Sequence, residues 1–147
     1  MKYPQITIEL LKSKNAPKYQ IDLFQNTFGD KPAPLNKKVF TKLANHFDIE
    51  WAAKNLLDRK DSAEYNKATG PAWSKYRKVV APAWAEYEKV ADAALSVYKA
   101  STTNPDWREY TKVTDPAYAE YNKVAGPAWT EYGNATALIF LKIYKAS

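Results

Sequence analysis

From Asp61 to the end of the chain the apolar positions keep an eleven-residue beat. Tyr65, Tyr76, Tyr87 and Tyr98 mark it, and Tyr110, Tyr121 and Tyr132 resume it after a pause. Pro71, Pro82, Pro105, Pro116 and Pro127 are followed two residues later by Trp73, Trp84, Trp107, Tyr118 and Trp129. The unit reads Pro-Ala-Trp-x-x-Tyr-x-Lys-Val-x-x. Eleven residues over three turns is about 3.67 per turn, close to the α-helical value. Trp at +2, Tyr at +5 and Val at +8 from the proline therefore share one slowly drifting stripe, and the pattern predicts helix. The prolines work against it, because an interior proline removes a backbone donor and crowds the preceding turn, at roughly 3 kcal/mol. Proline is favoured at the first helical position. The sequence thus predicts short helices of about eight to ten residues, broken or kinked at each proline.

A larger duplication is laid over this beat. Residues 61–100 align with 106–146 at an offset of 45, which slips to 46 near the end. Pro82-Ala83-Trp84 matches Pro127-Ala128-Trp129, and Tyr98-Lys99-Ala100 matches Tyr144-Lys145-Ala146. Between the copies, Ser101-Thr102-Thr103-Asn104-Pro105 has turn composition. Two equal arms and a short turn predict an antiparallel helical hairpin.

Residues 1–60 carry a different pattern. Thr7 can cap a helix through Leu10 and Leu11 that ends near Asn15 and Pro17. Tyr19, Ile21, Leu23 and Phe24 predict a second helix, stopped by Gly29. Asn36 is a good cap for a third, with Val39, Phe40 and Leu43 at helical spacing. Asp48 can cap a fourth carrying Trp51, Ala52 and Leu56. Ile6, Ile8 and Leu10 also alternate with polar residues, so a short strand competes with the first helix. The division expected is a basic helical segment over 1–60 and a duplicated repeat array over 61–147, with arms 61–100 and 106–146. The fold class is mostly α.

Composition sharpens this picture in three places. A hydrophobic fraction of 46% is enough for a core. Aromatic residues make up 14%, and nine of the 11 tyrosines and four of the five tryptophans lie in 61–147, so the excess belongs to the repeats. The absence of cysteine excludes disulfides, thiolate catalysis and cysteine-based zinc sites. The net charge of +6 is uneven: residues 1–60 hold 11 Lys+Arg against 6 Asp+Glu, a balance of +5. That field suits nucleic acid, nucleotides or an acidic protein surface. No signal peptide and no apolar run of membrane-spanning length is visible. The chain reads as soluble and cytoplasmic, with no membrane partner.

The candidate chemistry is that of binding. Trp73, Trp84, Trp107 and Trp129 could form a stacking surface for bases or other flat ligands. Arg77, Lys78 and Arg108 could meet phosphate, the two arginines with bidentate geometry. The same aromatic stripe could instead pack the two arms together, and both can hold if the arms leave a cleft. Glu three residues before Lys in most units predicts weak surface pairs rather than a phosphate row. Lys31, Lys37, Lys38 and Lys42 are the densest basic cluster, a candidate partner-binding face or a plain solvated one. His46, the only histidine, has no triad or metal-ligand spacing around it, and no carboxylate pair is singled out for acid–base work. No catalytic residue, no metal site and no cofactor is expected, and the chain reads as a non-enzyme.

These motifs also carry a resemblance. Leu23-Phe24-Gln25-Asn26-Thr27-Phe28-Gly29 and Asp48-Ile49-Glu50-Trp51-Ala52-Ala53-Lys54-Asn55-Leu56-Leu57 precede Ala85-Glu86-Tyr87-Glu88-Lys89-Val90 and Ala119-Glu120-Tyr121-Asn122-Lys123-Val124-Ala125-Gly126-Pro127-Ala128. In this the chain resembles small hypothetical proteins of tailed bacteriophages and prophages with tandem Ala-Glu-Tyr-x-Lys/Arg-Val-x-x-Pro-Ala units. The resemblance implies no family-wide activity or site. It places the chain in a host cell's cytoplasm, where small phage proteins often block host defences. The expectation is a protein that sequesters a nucleotide or another anionic, base-containing ligand in counter-defence. The alternatives are a protein-binding inhibitor of a host defence complex, or a structural self-assembling repeat protein. A homo-oligomer is expected, because a lone hairpin would leave its aromatic stripe exposed.

Overall fold

The computed structural model describes residues 2–100 and 106–146. Over these residues it contains six helices and no strand: α1 (Ile8–Ser13), α2 (Lys18–Phe28), α3 (Lys37–Leu43), α4 (Ile49–Leu56), α5 (Arg59–Ala100) and α6 (Trp107–Lys145). The chain is mostly α, and the strand alternative at Ile6, Ile8 and Leu10 is not taken.

Side-chain caps set the short helices. Thr7 Oγ1 accepts from the Leu10 N–H at 3.2 Å, Asn36 Oδ1 from Val39 at 2.9 Å and Asp48 Oδ1 from Trp51 at 2.8 Å. Each satisfies a donor that the first helical turn would otherwise orphan. Gly29 ends α2 with φ 61° and ψ −133°, a backbone conformation that side chains with a Cβ rarely adopt. Asp58 and Asp106 begin the long helices in the same way, accepting from Asp61 at 2.9 Å and from Arg108 at 3.0 Å.

The expected breaks at the prolines are not there. α5 is helical through Pro71 and Pro82, and α6 through Pro116 and Pro127. The reason lies in where the rings sit. All four prolines are exposed, and so are Lys67, Lys78, Lys112 and Lys123, whose carbonyls four residues earlier lose their donors. Those carbonyls can bond water, so each lost hydrogen bond is largely replaced. Packing on the opposite side of the helix offsets what remains, as tertiary context often does. The turn predicted at 101–105 lies outside the described residues.

The chain divides into two compact units, one of Met1–Ala72 with Thr130–Ser147 and one of Trp73–Trp129. The boundary expected at residue 60 falls inside the first. That unit holds the apolar core, with Phe24, Phe140, Ala137 and Tyr144 at 2% exposure or less. Phe40 stacks on Phe140 at 6.1 Å, and Phe140 on Tyr144 at 5.2 Å. Burying each such ring contributes about 1.5–3 kcal/mol.

Residues near the start of the chain close this core. The Tyr3 ring stacks on Tyr144 at 4.9 Å, and the Tyr144 hydroxyl donates to the Pro4 carbonyl at 2.7 Å. Burial pushes the Tyr144 hydroxyl up to about 12. The Tyr3 hydroxyl donates to Asp61 at 2.6 Å and accepts from the Asp58 N–H at 3.0 Å. Lys2 bridges Asp58 at 2.5 Å and Asp61 at 2.8 Å. Bonds from Lys2 and Tyr3 hold the Asp61 carboxyl below the usual carboxylate range. The Asp61 N–H and then Lys2 do the same for Asp58.

Candidate functional site: an aromatic ladder over residues 73–129

In the second unit the eleven-residue beat becomes three tiers of rings. Within each arm the aromatic at +2 lies against the tyrosine three residues on. Trp73 stacks on Tyr76 at 5.4 Å, Trp84 leans on Tyr87 at 5.2 Å, Trp107 stacks on Tyr110 at 4.5 Å and Tyr118 leans on Tyr121 at 5.8 Å. This spacing places the two rings one above the other on a helix.

Edge-to-face pairs then cross between the arms. Tyr76 meets Trp129 at 5.6 Å, Tyr87 meets Tyr118 at 5.5 Å and Tyr98 meets Trp107 at 5.7 Å. The series climbs one arm by eleven residues while descending the other by eleven, so the arms run antiparallel. Trp84 meets Tyr121 at 5.3 Å in the reciprocal sense. Such pairs contribute about 0.5–1.5 kcal/mol each beyond their burial.

Tyrosine and tryptophan divide the work. Tyr76, Tyr87, Tyr98, Tyr110 and Tyr121 are half-buried along the seam, and burial raises the Tyr121 hydroxyl above its ordinary value. The tryptophans flank the seam and keep 44% (Trp73), 41% (Trp84), 57% (Trp107) and 49% (Trp129) of their surface exposed. Thr114 and Ala125 alone are fully buried among the described residues of this unit. Val79, Val97, Val113 and Val124 are also exposed. The five tyrosines are therefore half-buried in the inter-arm seam, while Trp84, Trp107, Trp129 and the exposed Tyr118 touch the opposite arm and still keep much of their surface in solvent.

The expected phosphate-binding cations are distributed unevenly. Arg77, Lys78 and Arg108 are all exposed. Arg77 lies four residues after Trp73 and seven before Trp84, a spacing that puts it on the tryptophan side of α5. Lys78 and Arg108 do not share that spacing. Three lysines of the column are paired as their spacing predicts: Lys89 with Glu86 at 3.6 Å, Lys112 with Glu109 at 2.8 Å and Lys123 with Glu120 at 2.6 Å. A cleft of about 740 Å³ near the end of the arms is lined by valines, alanines, Tyr98 and Tyr110. Its charged rim is Glu86, Asp106 and Glu109 against Lys89, an acidic balance that does not suit an anion.

Lys31, Lys37, Lys38 and Lys42 are exposed in the first unit, the last three on α3. Lys37 borders a surface hollow with Leu138, Leu141, Lys142, Lys145 and Ala146. The sequence reading missed an apolar groove between α2, α3 and α4, walled by Phe28, Val39, Leu43, Phe47, Ile49 and Trp51. The helical spacing of Val39, Leu43 and Phe47 was its one sequence signal.

Among the described residues no group of three or more histidine, cysteine, aspartate or glutamate side chains is arranged to hold a metal ion, and no helix is long and apolar enough to cross a membrane. No protein-family model, curated protein or solved structure matches the chain.

Proposed function

We propose that this chain is a non-enzymatic binding protein whose working surface is the tryptophan side of residues 73–129. Its ligand would be a flat, base-like ring with an anionic group, as in a nucleotide. The observation that supports this reading is the division of labour in the ladder. Tyr76, Tyr87, Tyr98, Tyr110 and Tyr121 are half-buried, while Trp73, Trp84, Trp107, Trp129 and Tyr118 keep about half their surface in solvent even where they touch the opposite arm. Indole faces are sequence-tolerant stacking platforms, at about 1–3 kcal/mol per base. Arg77 is the cation best placed to meet the anion beside Trp73 and Trp84, with Lys78 and Arg108 supporting it from farther round. In the phage setting that the repeats suggest, such a protein would sequester a nucleotide signal in the host cytoplasm. Tryptophan fluorescence titrated with mono-, di- and cyclic nucleotides tests this: saturable quenching by one class is expected. Unchanged affinity in both Trp84→Ala and Arg77→Ala would refute it.

Self-assembly is a second reading, and the exposed valines support it. With only Thr114 and Ala125 fully buried among its described residues, the second unit leaves apolar surface that another copy could cover. Sedimentation would show a concentration-dependent mass. A clean monomer at every concentration would refute it.

A further inference from the structure

The cleft near the end of the arms opens on the face opposite the tryptophans, so its chemistry is separate from the nucleotide reading. On α5, Trp84 lies three residues before Tyr87 and Val90 three after, so they stand about 60° to either side of the seam tyrosine. On α6, Tyr118 and Val124 flank Tyr121 in the same way. Because the arms run antiparallel, the rings that precede their tyrosines share one face and the valines that follow share the other.

The cleft belongs to the valine face. Val90, Val97 and Val113 line it together with Tyr98 and Tyr110. Trp107 packs on both tyrosines, stacked on Tyr110 at 4.5 Å and edge-on to Tyr98 at 5.7 Å. Val97 and Val113 keep 74% and 50% of their surface exposed, so the described residues leave the cleft open. Its volume of about 740 Å³ lies within the range of about 300–1,000 Å³ typical of small-molecule sites. The helix rises about 10 Å from Val90 to Val97, the length of a small molecule rather than of a docked helix.

The charged groups in the lining select the ligand. Glu86, Asp106 and Glu109 stand against a single lysine, Lys89. Arg108 and Lys112, two residues to either side of Tyr110, lie round the back of α6 and do not line the cleft. Each carboxylate is committed through one oxygen only. Glu86 Oε1 pairs with Lys89 at 3.6 Å, Glu109 Oε1 accepts from Lys112 at 2.8 Å and Asp106 Oδ1 accepts from the Arg108 N–H at 3.0 Å. Their second oxygens have no partner among the described residues. The two lysine pairs are solvent-exposed, where such pairs hold a carboxylate weakly. Phenol rings add attraction for a cation.

We infer that this cleft is a binding site for an organic cation, an ammonium carried on an apolar chain or ring. The apolar part lies against Val90, Val97 and Val113, and the ammonium sits among Glu86, Asp106 and Glu109 beside the two tyrosines.

Calorimetric titration of the whole protein with octyltrimethylammonium, kept below its micelle concentration, tests this. Octyl sulfate carries the same chain with the opposite charge. Saturable binding of the cation is expected, about tenfold or more tighter than that of octyl sulfate. Asp106→Asn/Glu109→Gln removes two lining charges while keeping a capping side chain at 106, and should weaken the cation about tenfold or more. Val97→Arg, at an exposed position, places a fixed cation in the wall and should weaken it as much. Trp84→Ala, on the opposite face, should leave it unchanged, with circular dichroism confirming that each variant is folded. Equal binding of octyl sulfate overturns the inference, as does cation binding that survives both cleft variants or is lost with Trp84→Ala. Absence of saturable binding also overturns it, and sedimentation of the same sample then shows whether a second copy covers the valine face instead.

Discussion

Replacing Pro82 with alanine should stabilise the protein, although the substitution removes a repeat landmark. Pro82 is exposed on α5 and its ring lies over the Lys78 carbonyl, which has no helical donor. Alanine restores that donor and removes the clash, and the propensity difference between the two residues in a helix interior is about 3 kcal/mol. Proline also restricts the unfolded chain, and losing this restriction returns about 0.4–1 kcal/mol to the unfolded state. Hydration of the Lys78 carbonyl already recovers part of the bond, so the net gain should be about 1–2 kcal/mol. Urea denaturation followed by circular dichroism at 222 nm would read this as a higher midpoint with an unchanged slope. Destabilisation by Pro82→Ala would refute the reasoning, because it would mean that the proline shapes the arm in a way the tier contacts require.

Other consequences can be checked with the same apparatus. Trp84→Ala and Tyr121→Ala should each destabilise, and their double-mutant cycle should give a coupling of about 0.5–1.5 kcal/mol. A coupling near zero would mean the ladder does not join the arms. Phe140→Ala, at a position 1% exposed and stacked on Phe40 and Tyr144, should cost about 3–5 kcal/mol in equilibrium denaturation. The Lys2, Tyr3, Asp58 and Asp61 clasp should make stability acid-sensitive. Both carboxyls sit below their unfolded value of about 3.9, so their contribution is present above that pH and is lost as pH falls through the folded values. Asp61→Asn should therefore narrow the stability difference between pH 7 and pH 3 relative to the parent, and an unchanged difference would count against the clasp.

What the sequence disclosed was what local chemistry decides. Thr7, Asn36 and Asp48 were legible as caps because each bond is made within three residues. The Thr7 cap also settled the competition between strand and helix at Ile6, Ile8 and Leu10. The prolines misled as to breaks in the helices because their local cost is visible in the sequence, while exposure of the freed carbonyls and packing on the far face of the helix are not. The stripe was legible from its period, but which ring faces the seam was not. Trp at +2 and Tyr at +5 are both compatible with one stripe, and both meet the other arm, but Tyr76, Tyr87 and Tyr98 are half-buried while the tryptophans remain exposed. Of the groove only the helical spacing of Val39, Leu43 and Phe47 was legible, because its walls come from three helices and the loops between them.

The tiers also constrain how this part of the chain can change length. Removing a single residue within α5 would turn everything beyond it by about 100° and carry the later tyrosines out of the seam. Removing eleven from one arm alone would keep the stripe but set each remaining ring opposite the wrong tier. Only paired gains or losses of eleven, one on each arm, leave every Trp–Tyr crossing intact. Each such step would shift the hairpin's reach by about 16 Å. The hairpin is in this sense a ruler with coarse graduations, and its length is a quantity that mutation can alter only in whole units.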